Sequence, residues 1–242
     1  MRLMMASDRI KNYIGGELVD PIEGEFLDDF NPATGELIAR VPNSSPKDVE
    51  KAFESARRAF PAWRDLSATD RAGHLSKLAK GIANFSERLA EAETTDTGKP
   101  FLLSQTVDIP RAQQNFEFFA AAATQFSSES HPVGPEQINY TRRDPLGAIA
   151  CISPWNLPLY LLTWKIAPAL AAGNTVVAKP SEVAPLTAYL FSKICLEVGF
   201  PKGVINILHG EGAQMGEALV RGADAVSFTG STRVGKEMQN KL

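Results

Sequence analysis

From residue 146 onward the chain alternates between two kinds of segment. Leu146–Ile152, Thr175–Lys179, Val204–Leu208 and Ala225–Thr229 are short apolar runs, largely β-branched, of the length and composition of buried strands. Between them lie stretches of helical period, Leu157–Ala172, Pro185–Val198 and Gln214–Val220, each closed by a glycine at Gly173, Gly199 or Gly222. A strand, a helix and a strand in that order require parallel strands joined by right-handed crossovers. The expected architecture is therefore α/β, a doubly wound parallel sheet with helices on both faces. Ligands of such sheets bind beyond the carboxyl ends of the strands.

Residues before 145 read differently. Gly15-Gly16 and Asn31-Pro32-Ala33-Thr34-Gly35 separate short strand-like runs such as GELIARV, which predicts a small hairpin region. Ser45 followed by Pro46 is a helix start, and Val49, Ala52, Phe53, Ala56 and Phe60 share one face of the helix it opens. Ser67 and Asp70 form a capping-box pattern with Asp in place of the usual Glu or Gln. Further helices are expected over 85–95 and about 106–126. The prolines, Gly134 and the alternating QINYTRR of 131–145 read as an extended arm. The expected division is a hairpin and helical region over 1–130, the arm over 131–145, and βαβ units over 146–242.

Composition removes several functions. Of 242 residues, 44% are hydrophobic and 22% charged, as in soluble globular chains, so disorder and long coiled coils are disfavoured. A net charge of −3, without a block of like charges, leaves no electrostatic footprint for nucleic acid. Leu146–Trp164 is uncharged and near bilayer length, but Ser153, Pro154, Asn156 and Pro158 in its middle would leave backbone groups unpaired in lipid. It reads as strand, sharp turn and helix, with no membrane role. The opening MRLMMASDRIKNYIGG has no apolar leader core, and Cys151 and Cys195 make no disulfide framework, so a cytoplasmic location is expected. His74, His131 and His209 are scattered without zinc-ligand spacing, and no metal is expected.

The strand ends carry the polar residues. After the first comes Ser153-Pro154-Trp155-Asn156, where Asn156 is either the cap of the next helix or an amide placed to hold a developing oxyanion. After the second, Lys179-Pro180-Ser181-Glu182 is either a solvated loop or an ammonium and carboxylate that share a ribose diol. A carboxylate there would repel a 2′-phosphate and favour NAD over NADP. After the third, Gly210-Glu211-Gly212-Ala213-Gln214-Met215-Gly216 departs from the G-x-G-x-x-G spacing by one residue. After the fourth, Phe228-Thr229-Gly230-Ser231-Thr232 offers a close-approach glycine and hydroxyls at a helix start, suited to a pyrophosphate or to simple capping.

Taken together, SPWNLPLYLLTWKIAPALAAGNTVVAKPSE, GFPKGVINILHGEGAQMGEAL and VSFTGSTRVG resemble the cofactor-binding half of the NAD(P)-dependent aldehyde dehydrogenase superfamily. KNYIGGELVD, NPATGELIARVP and ETTDTGKP resemble its N-terminal region, and DIPRAQQNFEFFA is most similar to the 2-aminomuconic and 2-hydroxymuconic semialdehyde dehydrogenases. The resemblance implies a Rossmann-like fold with an oligomerisation arm, NAD as cofactor, a small aldehyde as substrate and a homo-oligomer. It assigns Asn156 to oxyanion stabilisation, and Lys179 and Glu182, with Ser181 between them, to the adenosine ribose. Ser231 and Gly230 fall to the pyrophosphate, Gly212 and Gly216 to the adenine end, and Ile152, Ser153, Trp155, Phe228 and Val234 to the cofactor groove. Leu157, Leu161 and Trp164 would wall the aldehyde tunnel, with Lys165 beside it, and Arg111 is a candidate for a substrate carboxylate.

In relatives the attacking cysteine and the water-activating glutamate follow the FTGS segment, in GQxC-like and LELGGK-like motifs. Neither motif occurs before Leu242, and Cys151 and Cys195 both read as small core hydrophobes. The expectation is the N-terminal portion of an oxidoreductase that is inactive by itself. The alternative is a noncatalytic dinucleotide-binding or subunit-pairing module.

Overall fold

A computed structural model describes residues 9–241. Residues 1–8, part of the stretch on which the leader expectation rests, lie outside the described residues. The chain opens with two short strands, β1 (Asn12–Ile14) and β2 (Glu17–Val19), joined by Gly15 and Gly16 at φ of 65° and 83°. Both angles are left-handed, which is the requirement of the two-residue hairpin turn that glycine meets without strain. A separate hairpin, β3 (Phe26–Phe30) and β4 (Leu37–Pro42), comes next, with a bulge at Asp29/Phe30.

Four helical segments then cover the region up to 125. Helix α1 (Pro46–Arg64) starts at Ser45, whose N–H and hydroxyl both donate to the Asp48 carboxylate at 2.9 and 3.0 Å. Helix α2 (Ala68–Asn84) starts at Ser67, whose hydroxyl oxygen accepts from the Asp70 N–H at 3.0 Å, as the capping pattern predicts. Helix α3 (Ser86–Thr97) ends at Gly98 in the left-handed conformation, φ 72°. The fourth segment, expected from about 106, starts earlier and irregularly: α4 (Phe101–Leu103) passes through a π-helical turn, Ser104–Asp108, into α5 (Ile109–Gln125). The arm is a two-stranded ribbon, β5 (Ser130–Gly134) and β6 (Gln137–Tyr140), exposed along its length.

The alternation after 145 forms the expected series: β7 (Ala148–Ile152), α6 (Pro158–Ala171), β8 (Thr175–Lys179), α7 (Leu186–Glu197), β9 (Ile205–Ile207), α8 (Gly212–Gly222), β10 (Ala225–Phe228) and α9 (Thr232–Gln239). Leu146–Trp164 is thus divided between β7, a loop and α6, and among the described residues no helix is long and apolar enough to cross a membrane. The four strands run parallel in the order β10-β7-β8-β9.

The sheet is larger and less uniform than the sequence predicts, because the opening hairpin joins it. β1 pairs antiparallel with β9 through Tyr13 and Ile207, so the order continues to β1 and β2 and the sheet is mixed and six-stranded. The joint is polar and buried: Asn12 Oδ1 accepts from the His209 N–H at 2.9 Å, and Asn206 Oδ1 from the Gly15 N–H at 2.9 Å. Two residues in β1 and β9 thereby satisfy backbone groups that such a short ladder cannot reach.

Strand periodicity divides the core in two. Ala148, Ala150, Ile152 and Val177 point to one face, where Val49, Phe53 and Ala56 of α1 and Met215 and Leu219 of α8 cover them. Ile149, Cys151, Val176 and Ala178 point to the other, under α2, α5, α6 and α7. The N-terminal helices therefore complete both layers of the doubly wound sheet. Trp63 ties the layers at one end, with its indole N–H donating to the Leu170 carbonyl at 3.2 Å.

Candidate functional site

The register aligns three strand ends. Phe228 of β10 pairs with Ile152 of β7, which pairs with Lys179 of β8, so these strands finish on one rung of the ladder. The next residues continue the bonding into the loops, with Thr229 N–H on the Ile152 carbonyl and Ser153 N–H on the Lys179 carbonyl, both at 3.1 Å. The loops then splay apart and leave a groove of about 430 Å³ along the carboxyl edge. Every residue that the sequence singles out for a dinucleotide lines it: Ile152, Ser153 and Trp155; Lys179, Ser181 and Glu182; Gly212 and Gly216 of α8; and Phe228, Gly230, Ser231 and Val234 around the start of α9.

Lys179 and Glu182 are a close ion pair, Nζ to Oε2 at 2.6 Å, in which the ammonium is almost fully buried and the carboxylate about one-third exposed. The lysine is thus fixed by its partner while the carboxylate faces the groove. His209 lies buried beside Lys179, its pKa pushed down to about 3 by burial and then by the lysine charge, so it stays neutral and adds no cation. Ser231 caps α9, its Oγ accepting from the Val234 N–H at 3.3 Å. Capping uses an oxygen lone pair and leaves the hydroxyl proton free to donate, so capping and anion binding are compatible. A side chain at Gly230 would run into the Phe228 ring, and nothing lies within 4 Å of the place where Gly216 would carry one. This surface admits a flat or anionic ligand against bare backbone.

Asn156 does not cap. The N-cap position of α6 is Leu157, without a side-chain cap. Asn156 is exposed beside the groove, and its amide has no hydrogen-bond partner among the described residues. Its main chain, in contrast, is held, since the carbonyl accepts from Lys99 Nζ at 3.2 Å. Lys99 is bound in turn by Glu93 and Asp108, a cluster that sequence reasoning misses although the ETTDTGKP motif contains two of its three members. The available signal is a lysine directly after a helix-closing glycine, with a helical glutamate six residues before it.

The substrate candidates lie outside the groove. Leu157 and Leu161 are half-buried at the start of α6, and Trp164 is exposed, edge-on to Tyr160 at 5.2 Å. The Arg111 guanidinium sits over the Tyr160 ring at 5.5 Å and has no carboxylate partner among the described residues. Lys165 is buried, donates to Thr229 Oγ1 at 2.6 Å, and has its pKa lowered by burial. Both thiols are fully buried, and desolvation pushes Cys151 up to about 12 and Cys195 up as well. Neither can supply a thiolate to the groove.

A doubly wound sheet with its groove at a carboxyl edge, a lysine–glutamate pair on one loop and a glycine–serine helix start on another defines the Rossmann-like class of α/β protein. The chain belongs to the aldehyde dehydrogenase family, whose model matches residues 19–242. It is 47% identical over 225 residues to the 2-aminomuconic semialdehyde dehydrogenase of Mus musculus, covering 92% of this chain and 46% of the relative. It is 43% identical over 235 residues to the 2-hydroxymuconic semialdehyde dehydrogenase of Pseudomonas sp. (strain CF600), covering 94% and 48%. Among solved structures, the NAD+ complex of aldehyde dehydrogenase from Bacillus cereus superposes with a TM-score of 0.94 at 37% identity, over 97% of this chain and 48% of that one. The chain spans about half the length of the curated relatives it matches.

Proposed function

We propose that these residues are the cofactor-binding portion of an NAD-dependent aldehyde dehydrogenase that oxidises an aldehyde or semialdehyde to the acid through a thiohemiacetal and a thioester. The observation that carries the reading is the convergence of a buried lysine–glutamate pair, a helix-capping serine and an unpartnered amide at one sheet edge. NAD supplies a hydride acceptor when bound. Lys179 and Glu182 hold its adenosine ribose, Ser231 and the backbone at Gly230 meet its pyrophosphate, and Gly212 and Gly216 leave room for the adenine. Asn156 donates its amide N–H to the oxyanion formed when a thiolate adds to the aldehyde. That thiolate and the base that activates water come from outside these residues, since both thiols here are buried and protonated.

The semialdehyde relatives support a substrate with its own carboxylate. Arg111, free of ion pairs among the described residues and stacked on Tyr160, is the group that would receive it bidentately. The arm ribbon, with Val133, Ile138 and Tyr140 exposed, is the surface for a homo-oligomer, and we place the protein in the cytoplasm. Titration of the purified chain with NAD, beside a Lys179→Ala/Glu182→Ala variant, tests the site. Binding by the first, its loss in the second with circular dichroism unchanged, and no aldehyde-dependent NADH formation by either are expected. Equal binding by both overturns the ribose assignment, and turnover by the chain alone overturns the external thiolate.

A further inference from the structure

The cluster around Lys99 is costly to build. The Lys99 ammonium donates to Asp108 at 2.7 Å, to Glu93 at 3.1 Å and to the Asn156 carbonyl at 3.2 Å, which uses all three of its N–H donors. The Glu93 and Asp108 side chains are 0% and 2% exposed, and that of Lys99 is 12% exposed. Burial pushes the Glu93 pKa up, and the Lys99 charge opposes that rise. Buried ion pairs of this kind add little net stability against apolar packing, so their presence calls for a geometric reason.

The backbone supplies one. Asp108 ends the π-helical turn Ser104–Asp108, and each extra residue in a helix rotates the remainder of that helix by about 100°. The turn is pinned to α3 by the Thr94 and Ser104 hydroxyls, 3.0 Å apart, and its last residue faces Lys99. Gly98, left-handed at φ 72°, reverses the chain so that Lys99 points back across α3. Two irregularities in separate segments thus converge on one ammonium, whose remaining donor reaches the loop between β7 and α6. The Leu159 N–H at the start of α6 also faces the Glu93 carboxylate.

We propose that Lys99, held by Glu93 and Asp108, is a positioning residue that locks the main chain at Asn156. It thereby sets both the free amide and the Ser153–Trp155 wall of the groove. An amide that must meet a developing charge gains most when its own reorganisation is already complete, and a tether on the backbone achieves this without occupying the side chain. The inference rests on the dinucleotide reading of the groove, and it adds residues from two distant segments to that site.

Lys99→Met alone strands two buried carboxylates and risks misfolding, so the informative variant is Glu93→Gln/Lys99→Met/Asp108→Asn, which removes the charges together and nearly preserves shape. Hydrogen–deuterium exchange of the whole chain should then accelerate over 153–159 by about tenfold or more, as for a loop released from its tether. Exchange in β7, β8 and α5 should stay unchanged. AMP affinity should equal that of the parent chain, while NADH loses affinity relative to AMP. Unchanged exchange over 153–159, or acceleration spread across α3 and α5, overturns the proposal. Failure of the parent chain to bind AMP or NADH would instead overturn the groove reading and leave the exchange result to decide the tether.

Discussion

Glu182 is the residue through which this groove should choose between NAD and NADP. Its carboxylate is anchored by Lys179 at 2.6 Å, so it cannot swing away from a group placed at the ribose. Unit charges 4 Å apart repel by about 4 kcal/mol at an effective dielectric of 20 and by about 1 kcal/mol in bulk water. Glu182 is about one-third exposed, which places it toward the lower limit, and Lys179 returns some attraction. A net penalty of about 1–2 kcal/mol corresponds to roughly five- to thirtyfold in relative affinity. Glu182→Gln keeps an acceptor for Lys179, and thus the loop, while it removes the repelling charge. Calorimetric titration of the chain and this variant with NADH and NADPH should show an NADPH to NADH affinity ratio about tenfold higher in the variant, with the difference between the two shrinking as salt is added. An unchanged ratio, with NADH still bound, would refute the argument that this carboxylate selects the cofactor.

Other tests address the rest of the chain. Cys151 and Cys195, fully buried with raised pKa values, should resist a thiol reagent in the folded chain and both react in denaturant. Rapid labelling of either in native conditions would contradict the packing. Asp29 and Asp96 form a buried carboxyl pair, with burial raising Asp29 to about 6, Asp96 raised by burial and by Asp29, and Glu93 adding negative charge from α3. Because the folded state holds this proton more tightly than the unfolded chain, stability from the pair is present below about pH 4 and is lost as pH rises toward 6. Urea midpoints for Asp29→Asn should therefore gain on the parent chain between about pH 4 and 6 and then level off; a difference independent of pH would show that no proton is shared.

The legibility of each feature in the sequence depends on the range of the interaction behind it. The strands and helices after 145 and the caps at Ser45 and Ser67 depend on neighbours a few residues away, and periodicity and composition report them directly. The groove residues are also legible, because in a parallel sheet every polar residue just past a strand lands on the same edge. The attachment of β1 to β9 is not: it joins Tyr13 to Ile207, and its hydrogen bonds run through Asn12 and Asn206, residues that locally resemble any polar position. The π-turn is only partly legible, since Pro110 in LLSQTVDIP lacks the N–H of a regular helix and marks an irregularity, but the form it takes as a π-turn, with Asp108 turned to Lys99, depends on residues outside the segment.

The two non-local features share a consequence. Both place a residue from the first half of the described chain against a loop that leaves the carboxyl edge: Asn12 holds the backbone at His209, beneath Lys179, and Lys99 holds the backbone at Asn156. Strand register alone brings Ile152, Lys179 and Phe228 to one rung, but it says nothing about loops that depart from that rung toward solvent. Loops are ordinarily the most mobile parts of such a sheet. Here two of them are tied down by side-chain hydrogen bonds to main chain, which at Asn156 leaves the side-chain amide unoccupied. The N-terminal segments therefore do more than cover the faces of the sheet. They supply the rigidity that a preorganised site needs and that the βαβ units, with their short connections, do not generate by themselves.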